Sequence, residues 1–244
     1  MLSHRHDSRL EKALASVSWA QQMVVLDTNP ASGTPWTLYT KKYPQLQVVH
    51  TQPAPTDFAA WRNQLLHHVT QPWVFFIDSD EVAIITEPAE FTALVNSTPA
   101  SYSVRRIDYF LGKPLKHGEA GHMWLNRLGP EHTMRFKRVV HETTDQQATR
   151  ITSLVLHHES HLSIGEFVEK VSRYATLEGQ NKPLPGSLFT LYWQAILFPT
   201  GKFVLNYFLK LGFMDGWRGL VYAVMMSLHS FIVRVAWYEQ HPTV

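Results

Sequence analysis

Cysteine is absent from the 244 residues, and that absence removes disulfides, thiolate metal sites and cysteine nucleophiles together. Any metal chemistry must come from the 14 His and the acids. A reducing cytoplasm is the easier fit to such a chain. Charge is scarce too, at 17% of residues against about 25% in an average soluble protein. It is also nearly balanced, with Lys+Arg 22 and Asp+Glu 20 for a formal +2. A nucleic-acid binder working through bulk electrostatics needs a basic excess, so no nucleic acid is expected as a partner. No basic-then-apolar leader opens the sequence, since His4, Arg5, His6 and Asp7 stand where an apolar core would be needed. Internal repeats and low-complexity tracts are missing as well. What is present is a hydrophobic fraction of 45%, too high for a disordered chain, on a length that suits one to two domains.

The scarcity of charge is uneven. Residues 183–244 carry only Lys202, Lys210, Asp215, Arg218, Arg234 and Glu239, 6 of 62. The longest strongly apolar stretch there, Gly219 to Val233, is 15 residues and includes Ser227, His229 and Ser230. A spanning helix needs ~20 mostly apolar residues, so a transmembrane segment is not expected. Lys202, Asn206 and Lys210 recur at i, i+4 and i+8, one narrow polar stripe among Phe203, Val204, Leu205, Tyr207, Phe208, Leu209 and Leu211. So thin a polar face belongs to a helix mostly buried, in protein or in a lipid interface. Tyr192, Trp193, Phe198 and Trp217 suit headgroup level, with Lys202, Lys210 and Arg218 near anionic lipid.

The first 160 residues alternate as an α/β domain does. Ser8 and Glu11 have capping-box spacing and open a helix through about Val17. Met23-Val24-Val25-Leu26, ending at Asp27, reads as a buried parallel strand. A turn at Pro30, Ser32 and Gly33 leads to a helix near Trp36–Tyr43; Leu46–His50 is a second strand. Thr56 caps a helix to about Val69. Trp73–Ile77 is the strongest strand, with Asp78-Ser79-Asp80-Glu81 at its C-terminal end, the edge of an open parallel sheet where ligands bind. A helix near Glu87–Asn96 follows. Ser101–Ile107 and Tyr109–Leu115 read as two strands, Lys116–His122 as a loop, and shorter strands run on to about Leu156. Ser163 and Glu166 form another capping box, for a helix to about Glu178. Pro183, Pro185 and Gly186 read as a linker, dividing the chain into 1–180 and an apolar helical tail, 181–244. The first helix begins so early that only Met1-Leu2-Ser3 remain for the opening central strand, which is expected to be truncated.

Asp78-x-Asp80-Glu81 carries the chemistry. Carboxylates two apart in a loop at a strand end can converge on one divalent cation, which would neutralise a diphosphate leaving group as a Lewis acid. The bland alternative is a pair of solvated acids after a buried strand.

Several ordered motifs resemble a known family. Leu10-x-x-Ala13-Leu14-x-Ser16-Val17-x-Trp19-Ala20, then Val24-Val25-Leu26-Asp27 with Ser32-Gly33-Thr34, are similar to the opening of family-2 glycosyltransferases of the GT-A fold. Arg62-Asn63, Trp73-Val74 and Asp78-x-Asp80-Glu81-Val82 match that family's run into its Asp-x-Asp motif. Arg105-Arg106-x-x-Tyr109-Phe110-x-Gly112, Lys116-His117-Gly118, Val140-His141-Glu142 and Lys210-Leu211-Gly212-Phe213-Met214-Asp215-Gly216-Trp217-Arg218-Gly219 resemble its lipopolysaccharide core-biosynthesis glucosyltransferase group. The resemblance covers almost the whole chain. It implies a Rossmann-like GT-A domain with a mostly parallel sheet, and a metal-assisted, inverting transfer of a sugar from a nucleotide-diphosphate donor. Asp27 and Arg62 would serve nucleotide-sugar binding, and Asp78 and Asp80 would face diphosphate and metal (Mn or Mg). His141 is the first choice to complete the metal site, His157 or His158 the alternative. The acceptor would be a lipopolysaccharide-core or other cell-envelope glycan or glycolipid. The enzyme is expected in the cytoplasm, peripheral on the inner face of the cytoplasmic membrane.

The sequence also departs from the family. Arg5-His6-Asp7 replaces Asn-Glu after the first strand, and Thr28-Asn29-Pro30-Ala31 replaces Ser-Gly-Ser-Thr-Asp after Asp27. The Gly-Gly-Trp segment and its following Asp, the expected general base, give way to Gly118-Glu119-Ala120-Gly121-His122-Met123-Trp124. His122 and Glu119 are the candidates to take the acceptor's proton. Two rivals remain: a catalytically degenerate member that binds a sugar nucleotide or a partner, and a metal-dependent phosphoesterase, for which no His/Asp motif spacing is visible.

Overall fold

The computed structural model describes residues 1–3, 7–28, 36–50, 58–98, 100–137, 143–144, 147–180 and 187–240. The chain divides into two compact units, Met1–Arg106 with Trp124–His158, and Ile107–Met123 with Glu159–Val244.

The first unit is built on a parallel sheet. Strands β1 (Leu2–Ser3), β2 (Met23–Asp27) and β3 (Leu46–His50) lie in the order β1-β2-β3. Leu2 pairs with Leu26 and Ser3 with Asp27, while Leu26 and Asp27 pair with Val49 and His50. On its other side Leu2 bridges in parallel to Asp78. The first strand is therefore short but seated between neighbours. Parallel strands covered on both faces read as continuous apolar runs, and Met23, Val25 and Leu26 are buried accordingly. Helix α1 (Ser8–Ser16) presents Leu10, Ala13 and Leu14 to this core. Its N-cap is Asp7, whose carboxylate accepts the Arg9 N–H at 2.9 Å. The start thus falls one residue before the expected Ser8, because Asp caps as well as Ser does. Helices α2 (Trp36–Lys42) and α3 (Phe58–Leu66) follow β2 and β3.

A second sheet contains β4 (Trp73–Phe75), β5 (Glu81–Ile85), β6 (Tyr102–Phe110), β8 (Met123–Pro130) and β11 (Thr149–His161) in the order β4-β8-β6-β11-β5, with β7 (Lys113–Pro114) beside β6. Helix α4 (Pro88–Val95) links β5 to β6, and the short strands β9 (Phe136–Lys137) and β10 (Thr143–Thr144) pair with each other. Two strands form here as expected over Ser101–Ile107 and Tyr109–Leu115, but they divide at Leu111–Gly112 and the second is short. One strand runs to Phe110 and turns through Leu111 and Gly112, both at positive φ, so that Phe110 faces Lys113. A two-residue hairpin loop demands that backbone, and Gly112 is its only sequence signal.

The second unit contains that hairpin and the helices α5 (Ile164–Gln180), α6 (Leu188–Val204) and α7 (Trp217–Gln240), with a π-helical turn Leu205–Leu209 and a 3-10 turn Gly212–Asp215 between the last two. The capping box of α5 forms: Glu166 N–H reaches Ser163 Oγ, and the Glu166 carboxylate accepts the Leu162 N–H. Phe167, Val171, Ala175 and Gly179 make one buried stripe on α5. Phe110, Leu115 and Ala120 join it in a core against Val221, Tyr222 and Met225 of α7. Within α7, Trp217–Glu239 is long and apolar enough to cross a membrane by length and composition, and 33% of its most apolar window is buried. The helix outruns the apolar stretch visible in sequence because it takes in flanking residues at both ends.

Candidate functional site

The parallel strands end together, so Ser3, Asp27 and His50 share one edge, with Asp78 beside β1. Asp27 is 1% exposed. Its Oδ2 accepts the Trp36 indole N–H at 2.7 Å and stands 3.5 Å from His50 Nδ1. Thr28 closes the edge, donating both its N–H and its hydroxyl to the Ser3 carbonyl.

Asp78 is the centre of the charged cluster. Arg62 Nη2 lies 2.8 Å from Oδ1, and Arg127 Nη2 lies 3.0 Å from Oδ2. Burial alone would raise this carboxyl, but the two guanidiniums outweigh it and hold the pKa at about 2. Arg62 leaves the buried side of α3 between the rings of Phe76 and Phe136. Its neighbour Asn63 exchanges two hydrogen bonds of 2.9 Å with the backbone of Phe136, which pins α3 to β9. The Arg62-Asn63 pair therefore divides into one residue that reaches the site and one that fixes the helix carrying it.

Glu81, fully buried, accepts the Asp78 N–H at 3.0 Å, and Arg106 Nη1 stands 3.9 Å from its other oxygen. Burial, then the charge of Asp78, pushes its pKa up. Asp80 points elsewhere: its Oδ2 is 3.4 Å from His158 Nε2. The strand register explains this, because His158 on β11 pairs with Glu81 on β5. His157, one residue on, has its pKa lowered by burial. His141 lies outside the described residues, as do Thr56, the Pro30–Gly33 turn, the Val140-His141-Glu142 motif and the Pro183–Gly186 linker.

Among the described residues no three His, Asp or Glu side chains form a metal-holding group. Asp80 with His158 offers two suitable donors, whereas Asp78 is already neutralised by two cations. The first unit thus gathers Asp27, Arg62, Asp78 and Asp80 at one edge and adds Arg127, Glu81, His50 and His158 to them. Glu81 stood in the motif itself, and His158 had been the alternative ligand. Arg127 was signalled only as a charge inside an otherwise uncharged strand.

Glu119 and His122 belong to the second unit. Glu119 stands 2.7 Å from Lys202 Nζ and 3.7 Å from Lys210 Nζ. Burial would raise its pKa, but Lys202 and then Lys210 bring it below the ordinary value. His122 closes the 3-10 turn Ala120–His122, and its side chain is exposed.

No family model matches the chain. Among curated proteins it is similar to the "TPR repeat-containing protein Synpcc7942_0270" of Synechococcus elongatus, 30% identical over 138 residues, or 56% of this chain and 32% of that protein. The chain spans about a third of the length of that relative. Among solved structures, S. aureus TarS overlays on 98% of this chain and 54% of its own, at 12% identity and a TM-score of 0.49. TarS 1-349 in complex with UDP-GlcNAc overlays on 99% and 90%, at 11% identity and 0.47. These overlays are too loose to carry a functional reading, which rests on the chain's own residues.

Proposed function

We propose that the chain is an inverting family-2 glycosyltransferase of the GT-A fold, moving a sugar from a nucleotide-diphosphate donor to a cell-envelope glycan of the lipopolysaccharide-core class. One observation carries the reading: Asp27, Asp78 and Asp80 stand with Arg62 and Arg127 at the C-terminal edge of a parallel sheet, where open α/β folds take their ligands. In this reading Asp27 addresses the nucleoside. Arg62 and Arg127 share the Asp78 carboxylate, and their guanidiniums would face the diphosphate. Asp80 and His158 would hold a divalent cation, Mn or Mg, which supplies Lewis-acid stabilisation of the leaving diphosphate. The acceptor oxygen attacks the anomeric carbon, the bond to the diphosphate breaks, and the acceptor's proton passes to a base. Of the two nominated bases, His122 and Glu119, the latter is held ionised by Lys202 and Lys210 and so takes up a proton less readily.

Membrane seating belongs to the same proposal. Phe189, Tyr192, Ile196 and Leu197 of α6 and Leu209 and Met214 of the turns are more than half exposed, a surface suited to the lipid interface. The protein would then work peripherally on the inner face of the cytoplasmic membrane, where a lipid-linked acceptor is reached.

A sugar-nucleotide panel with Mn²⁺, read by nucleotide-diphosphate release with and without membrane extract, tests the reading. Asp80→Ala is expected to lower acceptor-dependent release by about 100-fold or more. Donor binding without transfer, indifferent to Asp80→Ala, would instead establish the degenerate binding member, which the lysine-bound Glu119 favours.

A further inference from the structure

Four consecutive backbone N–H groups of the loop 116–119 end on the segment between α6 and α7. Lys116 and His117 both donate to Asp215 Oδ2, at 3.0 and 2.9 Å. Gly118 donates to the Lys210 carbonyl at 2.9 Å, and Glu119 to Asn206 Oδ1 at 2.9 Å. Side chains repeat the pattern: His117 Nδ1 is 2.9 Å from Asp215 Oδ1, and the Glu119 carboxylate meets Lys202 and Lys210. Asn206 is 1% exposed, and its amide donates to the Lys202 carbonyl at 3.1 Å, which turns its oxygen toward Glu119. Gly118 sits at φ +67, where a side chain is strained, with Asn206 Oδ1 in van der Waals reach of its Cβ position at 3.4 Å. Surface loops ordinarily leave such N–H groups to water. Here each is taken by a residue about a hundred positions away in sequence or by its near neighbour.

We propose that Asp215 and Asn206 are positioning residues that hold loop 116–122 in one conformation, and that Glu119 serves this grip and not proton transfer. The loop motif Lys116-His117-Gly118 and the tail motif Lys210–Gly219 are then halves of a single device. His117 takes its ring orientation from Asp215, and the loop delivers His122 to the head of β8. Only the activity arm of the test rests on the transferase reading.

Backbone hydrogen exchange on the full chain decides the matter. In Asp215→Ala the Lys116 and His117 amides are expected to lose protection about tenfold or more, while amides in α5 and α7 keep theirs. Asn206→Ser is expected to do the same at Glu119. Should Asp215→Ala not fold, Asp215→Asn decides alone: it keeps an oxygen acceptor but not the charge, and about a threefold loss confined to the loop is expected. Unchanged loop protection overturns the proposal. So does equal loss across α5 and α7, which would make Asp215 a general support of the helical core. In transfer assays Asp215→Asn should raise the acceptor KM and leave the donor KM alone; a fall in kcat with both KM values unchanged overturns the positioning role. Absence of turnover in the parent protein counts against the transferase reading and leaves exchange to judge the grip.

Discussion

In the first unit Leu10, Leu14, Val25, Leu26, Leu154 and Leu156 are buried, and the charges of Arg62, Asp78 and Arg127 meet at a sheet edge. In the second unit Asn206 and Arg234 are buried, while Phe189 and Leu209 are 72% and 71% exposed. Among the described residues, Trp19 and Leu38 are the only exposed large apolar side chains of the first unit; the others belong to the second. The contrast separates two uses of polarity. In the first unit charge is gathered at one sheet edge, Arg62 and Arg127 on Asp78. In the second, charge is consumed inside, on Glu119, His117 and Asp215, and the outside is left apolar. A low overall charge conceals both arrangements.

The largest expected effect tests how tightly the inner side of the second unit is built. A Cβ at Gly219 would run into the Gly212 carbonyl and come within 3.2 Å of Asp215 Cβ. Because the obstacle is backbone, relaxation is costly: Gly219→Ala should destabilise by about 3 kcal/mol in urea unfolding, despite alanine's better helix propensity. Gly201 on α6 has nothing within 4 Å of its Cβ position, so Gly201→Ala should stabilise by about 0.5–1 kcal/mol. Opposite signs for one substitution in neighbouring helices would measure the difference between inner and outer faces.

Acid titration should be the matching test of the first unit. Asp78 has its pKa moved from 3.8 to about 2, so its ion pairs contribute fully above about pH 3.8 and are lost as pH falls toward 2. The loss amounts to about 2 kcal/mol. Glu81 has the opposite sign. Its raised pKa means the folded state takes up a proton more readily, so acidification from neutrality toward its ordinary 4.5 stabilises the fold. Stability followed by urea unfolding should therefore rise and then fall on the way to low pH. Glu81→Gln should remove the rise and Asp78→Asn the fall. A monotonic decline in the parent protein would contradict the assignment.

Much of the first unit could be read from residue order because its signals are local. Met23–Leu26 had to be a covered strand, and Asp78 and Asp80 had to follow the strand at 73–77. The partners of those acids were not legible. Arg127 meets Asp78 across 49 positions, and nothing in the period of β8 says which carboxylate an arginine will find. The second unit shows the limit more sharply. Lys202, Asn206 and Lys210 were visible as one stripe, but periodicity tells that residues share a face and not which way the face turns. Its partner Glu119 lies 83 positions from Lys202, and His117 lies 98 from Asp215. Glu119 was a candidate base beside His122, and its lysine partners could not be foreseen, because long-range ion pairs leave no mark on spacing.

The smallest effect on folding is expected on the outer face, and there its smallness is the point. Leu209 and Met214, 71% and 59% exposed, adjoin Lys210 and Asp215, which face inward onto the loop. Replacing both by serine removes apolar area that the folded chain leaves in water, so stability without lipid should change by no more than about 0.5 kcal/mol. Hydrogen exchange at 116–119 should stay as it is. If this face is seated in a bilayer, the same double substitution removes buried area there, and sedimentation with anionic liposomes at low salt should fall several-fold. A large loss of stability in water would show instead that these side chains belong to the packed core, and the outward apolar face would no longer distinguish the second unit from the first.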